Sequence, residues 1–288
     1  MKKLLFAIAV LICVSLSTQA QRLIVRTDDI GGAQAMNEAV IYTYTDGIAR
    51  SAEVMVVGPW FPQAVKMLNA NPGLDVGVHV VLTSEWENYK WRPMTECPTL
   101  CDEFGYFLRG TFPSDAYPNS SMMERVKEIN LAEVEAEVRA QIALAVKLIP
   151  NVTHISGHMA WSFVSREIAE IGNKVAAEFG LPYIDSFTHG GLNYEGLQFG
   201  MGVPVEERAA KFIEALSKME PGKTYMTIDH PAFDTPEIRA LGHIGYEGVA
   251  IDRQAVTDLY TNPDVKKYIA DHGIELVSFG DLIREGNK

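Results

Sequence analysis

From Leu23 onward, short apolar runs alternate with longer stretches whose apolar residues recur at helical spacing, and this alternation narrows the fold more than any other feature. Strands separated by helices are joined by crossovers, which build parallel sheets with helices packed outside them. The pattern predicts a first strand from Leu23 to the Asp28-Asp29 pair, then strands at 51–57, 74–82, 152–156, 181–185, 224–229 and 275–279. Helices are predicted at 33–42, 61–69, 131–148, 165–179, 206–219, 253–260 and 264–271. About seven strands approach the number a TIM-like barrel requires, so the expected class is α/β, a distorted (β/α) barrel. A hydrophobic fraction of 47% is ample for its core. Residues 83–130 break the rhythm with a polar and aromatic stretch too long for a simple connection, and such insertions usually shape an active site.

The first strand ends on two adjacent carboxylates, and Gly31-Gly32 then turns the chain into the next helix. Like charges side by side repel, so a site that keeps both ionised needs a cation or gives each a separate task. The plainer reading makes one of them a helix N-cap. Later strands, however, bring His79, His154 and His158, Asp185 and His230 to the same carboxyl-terminal end, where catalytic groups of a parallel barrel converge. His272 suits a helix C-terminus and is read as structural, while His189 and His243 are loop residues for which the sequence names no partner. Two imidazoles and one carboxylate form a site for Zn²⁺ or another divalent ion with positions open to water and substrate. Water bound there becomes acidic enough to act as a nucleophile. The second Asp is then the base that deprotonates it, and a further His the acid for the leaving group.

Residues 1–20 read as a cleaved signal peptide: Met1-Lys2-Lys3, an apolar run over 4–16, and Thr18 and Ala20 placed for cleavage before Gln21. The predicted organisation is therefore a leader over 1–20 and one barrel domain over 21–288, in a periplasmic or secreted protein. A lipid anchor at Cys13 ranks second, because Ile12 is bulky where a small residue is wanted. Removing the leader takes away two lysines and no acid, moving the formal charge from −12 to −14. That charge argues against nucleic acid or an anionic membrane as a partner. Cys97 and Cys101 remain, and in an oxidising compartment a disulfide closing their small loop is expected; the rival, a metal pair, has no second Cys pair to complete a tetrahedral site.

Taken in order, the motifs resemble those of the YdjC-like carbohydrate deacetylases, the chitooligosaccharide deacetylase family. That family opens with Ala-Asp-Asp-Phe-Gly, matched here by Thr27-Asp28-Asp29-Ile30-Gly31. It continues with Gly-x-His, here Gly77-Val78-His79, and ends with His-Pro, here His230-Pro231. The similarity spans about residues 23–282. It implies a metal-dependent hydrolase that removes acetyl groups from N-acetylated amino-sugar oligosaccharides or related glycans, with one divalent ion, Mg²⁺ or Zn²⁺. Carried over by position, Asp29, His79 and His158 would bind the metal, Asp28 would be the base acting on a metal-bound water, and His230 the acid. The middle motif departs: the family's Thr-His-x-Asp-Ser-His-His-His reads Thr153-His154-Ile155-Ser156-Gly157-His158-Met159-Ala160, without the Asp or the trailing histidines. Relatives often place an Arg where this chain has Asp185.

Trp86, Trp91 and Arg92 in the insertion, with Asp185 and Phe233, are the candidate substrate contacts, since aromatics interleaved with polar groups suit a sugar. The competing reading packs those aromatics onto the barrel. Among other functions, a non-catalytic glycan-binding protein on the same fold follows from the altered middle motif, and a non-haem iron oxygenase shares the two-His, one-carboxylate triad. A glycosidase needs two carboxylates set apart across a sugar, which adjacent aspartates do not offer. An oligosaccharide is thus the expected partner, with no nucleic acid and no membrane insertion, and homo-oligomerisation left open.

Overall fold

A computed structural model describes residues 20–185, 187–199 and 202–286. The predicted leader and Cys13 lie outside the described residues. Among the described residues the strands form one sheet in which every pairing is parallel. Strand β1 (Arg22–Ile30) is its centre. It pairs with β6 (Thr224–Asp229) on one side; on the other its first half pairs with β7 (Glu275–Val277) and its second half with β2 (Ser51–Val54). Beyond β2 lie β3 (Asp75–Val80) and β4 (Val152–Gly157), and beyond β6 lies β5 (Glu195–Gly196), giving the order β4-β3-β2-β1-β6-β5. The sheet curls as a distorted, open (β/α) barrel, as the alternation predicts. Parallel pairing puts all its carboxyl ends on one rim.

Helices α1 (Gln34–Thr45), α2 (Phe61–Ala70), α3 (Leu131–Leu148) and α4 (Arg166–Glu178) fall close to the sequence expectation, α3 to the residue. So do α5 (Arg208–Leu216), α7 (Val249–Thr261) and α8 (Pro263–Asp271), while the one-turn α6 (Pro236–Arg239) was not anticipated. One large apolar cluster joins α1–α4 to β2–β4, and a second joins α5, α7 and α8 to the first half of β1.

Two strand expectations are corrected. Residues 181–185 do not form a strand: a single bridge joins Tyr183 to Ile155. Pro182 offers no N–H to a ladder. Asp185 then turns the chain away, its Oδ1 accepting from the backbone N–H of Phe187 and Thr188. The last strand stops at Val277, and α9 (Phe279–Gly286) begins where a strand was expected to continue. Ser278 and Asp281 cap its start reciprocally, a box the sequence carries as Ser-x-x-Asp. This helix start is tied to the amino ends of β2 and β3: Phe279 N–H donates to Ser51 Oγ and Gly280 N–H to Asp75 Oδ2.

The insertion at 83–130 is mostly irregular and is anchored by acids on the first turns of α3. Buried Glu137 accepts from the N–H groups of Met94 and Thr95, the Thr95 hydroxyl and the Gln141 amide. Glu133 accepts from Thr99 in the same way. The expected disulfide is absent. Cys97 and Cys101 are buried free thiols that flank the 3-10 turn Pro98–Leu100.

Because Glu137 receives four hydrogen bonds in a buried site, Glu137→Ala strands two backbone donors, at a cost of roughly 3 kcal/mol. Urea unfolding should show that loss, and limited proteolysis should cut within 83–130 faster than in the parent protein.

Candidate active site

In a regular strand Asp28 and Asp29 would point to opposite faces. Here the β1–β2 register slips between Thr27 and Ile30, and Asp29 takes a positive φ of 75°, a bulge that re-aims its side chain. Both carboxylates therefore reach His79 on β3, whose Nε2 lies 3.5 Å from Asp28 Oδ2 and 3.6 Å from Asp29 Oδ1. Gly31, with φ 107°, completes the turn; a Cβ there would sit 2.5 Å from the Met55 carbonyl oxygen.

Each carboxylate has a guanidinium of its own. Arg26, two residues earlier and hence on the same strand face, grips Asp28 through Nε at 2.6 Å and Nη2 at 2.8 Å. Arg253 from α7 donates to Asp29 Oδ2 at 2.8 Å. Burial would raise the Asp29 pKa, but Arg253 above all, then His158 and His230, hold it well below the ordinary carboxylate range. His158 follows β4 and meets His79 edge to face at 5.2 Å. Burial opposes its protonation, yet Glu85, 3.1 Å from Nε2, and Asp29, 3.4 Å from Nδ1, lift its pKa to about 10. His79 behaves oppositely: burial first, with the charges of His158 and Arg26, pushes it down to about 4 against the pull of Asp28 and Asp29.

Asp29, His79 and His158 present ligand atoms that all lie within 4.8 Å of one another. Asp29 Oδ1 and His158 Nδ1 are buried without a hydrogen-bond partner. At 3.4 Å their mutual contact is longer than an ordinary hydrogen bond, so both atoms keep the capacity to serve a cation as ligands. Ligands about 2.0–2.2 Å from a tetrahedral ion lie about 3.4 Å apart, close to the 3.4 and 3.6 Å observed here. The residues therefore fit a divalent cation.

His230 follows β6 on the same rim, its side chain 40% exposed and its Nδ1 3.7 Å from Asp229. Partial burial opposes protonation, but Asp229, Asp29 and Asp28 raise its pKa above the ordinary value. His154, by contrast, is wholly buried away from the cluster on Glu53.

The candidate substrate contacts are placed unevenly. Trp86 is buried, stacked on His243 at 5.8 Å with Arg253 on its ring. Trp91 is also buried, donating Nε1–H to the Thr83 carbonyl at 2.6 Å, and meets His158 edge to face with ring centroids 5.9 Å apart. Both indoles thus pack the insertion onto the barrel. Arg92 is exposed and lies over Tyr106 at 4.3 Å, and Phe233 is half-buried against Tyr42 at 5.7 Å. Asp185 is buried and engaged by its own turn.

Arg26, Glu53, Glu85 and Arg253 were not singled out from sequence. A signal existed for two of them, since Arg26 and Glu53 are charges inside otherwise buried strands. Glu85 and Arg253 come from a loop and a helix, and only the folding places them.

The family model of the YdjC-like proteins matches residues 22–271. A carbohydrate deacetylase of Thermus thermophilus is 31% identical over 86% of this chain and 89% of its own length. One of Brevibacillus brevis is 28% identical, over 91% and 99% respectively. Among solved structures, a proposed cellobiose-phosphate cleavage protein of Enterococcus faecalis V583 shares the fold, with a TM-score of 0.70 and 22% identity over 92% of this chain and 99% of that one.

His79→Ala and His158→Ala should each abolish stoichiometric Zn²⁺ binding, while His154→Ala, though less stable, should keep it. Equilibrium dialysis with elemental analysis of the folded variants separates these outcomes.

Proposed function

The chain belongs to the YdjC-like family, and on that premise we propose that it is a metal-dependent hydrolase removing acetyl groups from N-acetylated amino-sugar oligosaccharides or related glycans. The observation that carries this reading is the pair of orphaned atoms, Asp29 Oδ1 and His158 Nδ1, facing each other beside His79 Nε2. Asp29, His79 and His158 would hold the ion, and two imidazoles favour Zn²⁺ and its transition-metal neighbours over Mg²⁺. When bound, the ion supplies the positive charge that acidifies a water and polarises the acetyl carbonyl.

Asp28 is the base in this proposal. Arg26 fixes its orientation, and a carboxylate that accepts two hydrogen bonds still has lone pairs for the proton of an attacking water. His230 is the acid: its raised pKa favours the imidazolium, which can give its proton to the departing amine at the open rim. Arg92 and Phe233 keep accessible surface for the sugar, whereas Trp86 and Trp91 shape the wall behind it and Asp185 holds its own turn. We also propose that residues 1–20 direct export, so that the mature protein begins at Gln21; N-terminal sequencing of the protein as secreted or as released from the periplasm checks this.

Acetate release should be measured on N- and O-acetylated oligosaccharides with apo protein reloaded with Zn²⁺, Mg²⁺, Mn²⁺, Co²⁺ or Ni²⁺. Metal-dependent release that falls about 10²- to 10⁴-fold in Asp28→Asn, with metal stoichiometry unchanged, is the expected result. Full activity in Asp28→Asn would sink the assignment of the base. Metal binding without release from any substrate would favour a glycan-binding protein instead.

A further inference from the structure

We infer that Glu53 and Ser156 form a positioning pair that locks His79 in the tautomer presenting Nε2 to the cation site, an assignment that rests on the metal-binding reading above. His79 Nδ1 lies 2.8 Å from Ser156 Oγ, and Ser156 Oγ lies 2.5 Å from Glu53 Oε2. A serine hydroxyl carries one hydrogen, and an ionised carboxylate only accepts. Glu53 is fully buried, but His154 Nε2 at 2.8 Å and Arg26 Nε at 3.7 Å supply the positive surroundings that keep it ionised. The Ser156 hydrogen therefore goes to Glu53, and its oxygen is left to accept from His79 Nδ1–H. The ring of a neutral imidazole has a single N–H, so Nε2 keeps its lone pair, 3.6 Å from Asp29 Oδ1.

The sheet register makes this arrangement. Glu53 pairs with Gly77, and Gly77 with His154, so the three stand in one row across β2, β3 and β4. Gly77 has no side chain to separate its neighbours; a Cβ there would meet Glu53 Oε2 at 2.2 Å and His154 Nε2 at 2.4 Å. Glu53 thus reaches over β3 to the two β4 residues. In the motif this chain resembles, position 156 is an Asp. Here Ser156 stands at that position, and Glu53 from β2 brings a carboxylate to its hydroxyl, so a negative charge is still present beside position 156.

The test measures Zn²⁺ affinity by competition titration on variants shown to be folded by circular dichroism, and the His79 tautomer by ¹⁵N NMR of the full-length apo protein, with His79→Gln providing the assignment. Ser156→Ala and Glu53→Gln should each weaken binding about 10- to 100-fold, as loss of a ligand's outer hydrogen bond does. The swap Glu53→Ser with Ser156→Asp, which moves the carboxylate onto β4, should restore affinity to within a few-fold. The unaltered protein should show His79 protonated at Nδ1, and Ser156→Ala a mixture of tautomers. Unchanged affinity with unchanged tautomer in folded Ser156→Ala overturns the proposal, and failure of the swap to rescue overturns the role of Glu53. Should Ser156→Ala not fold, His79 protonated at Nε2 in the unaltered protein is the overturning result. None of these readouts needs an acetylated substrate, so failure of the deacetylase reading leaves a distinct signature.

Discussion

Burying Asp28 and Asp29 side by side is the constraint on which the rest of this structure depends. Two carboxylates almost wholly removed from water repel each other and lose hydration, and each uncompensated charge would cost several kcal/mol. The fold answers with separate partners: a bidentate arginine from the same strand for Asp28, and an arginine from a distant helix for Asp29. Neither arginine occupies the space between Asp29, His79 and His158. That division keeps one face of Asp29 directed at the two imidazoles, which is what a cation site requires.

The parallel sheet supplies the geometry on which this chemistry rests. Because β1 is central and paired along both edges, its carboxyl end is held by β2 and β6 while the bulge at Asp29 breaks the alternation of its side chains. His79 and His158 then arrive from β3 and β4 at the same rim, and His230 from β6 on the opposite side of β1. The groups proposed as base and acid, Asp28 and His230, thus come from adjacent strands of one rim.

Below that rim, polar and charged side chains on β1, β2 and β4 form a second layer: Arg26, Glu53, His154 and Ser156, all buried. A fully satisfied buried network holds its members in fixed orientations, whereas a half-satisfied one is costly. Here the layer links Asp28, through Arg26, to His79, through Glu53 and Ser156. The altered middle motif is therefore embedded in a compensated network rather than left as a gap.

Apolar periodicity alone was enough to determine the parallel α/β class, most helix boundaries and the rim on which the polar residues gather, because burial imposes a period of 3.6 or 2 on any chain that folds this way. The convergence of strand ends in a parallel barrel made the aspartate pair, His79, His158 and His230 legible as neighbours at one rim, whereas the choice of Asp29, His79 and His158 as the ligand set came from the family resemblance. What the tertiary structure alone decided is how those groups are held. Glu53 and Ser156 are over a hundred residues apart, and their meeting depends on strand register and on the bare backbone of Gly77. The failure of 181–185 to pair as a strand followed from an absent N–H and an Asp engaged by its own turn. Trp86 and Trp91 carry composition equally suited to a sugar or to a core, and only packing, which depends on the whole chain at once, turned them inward.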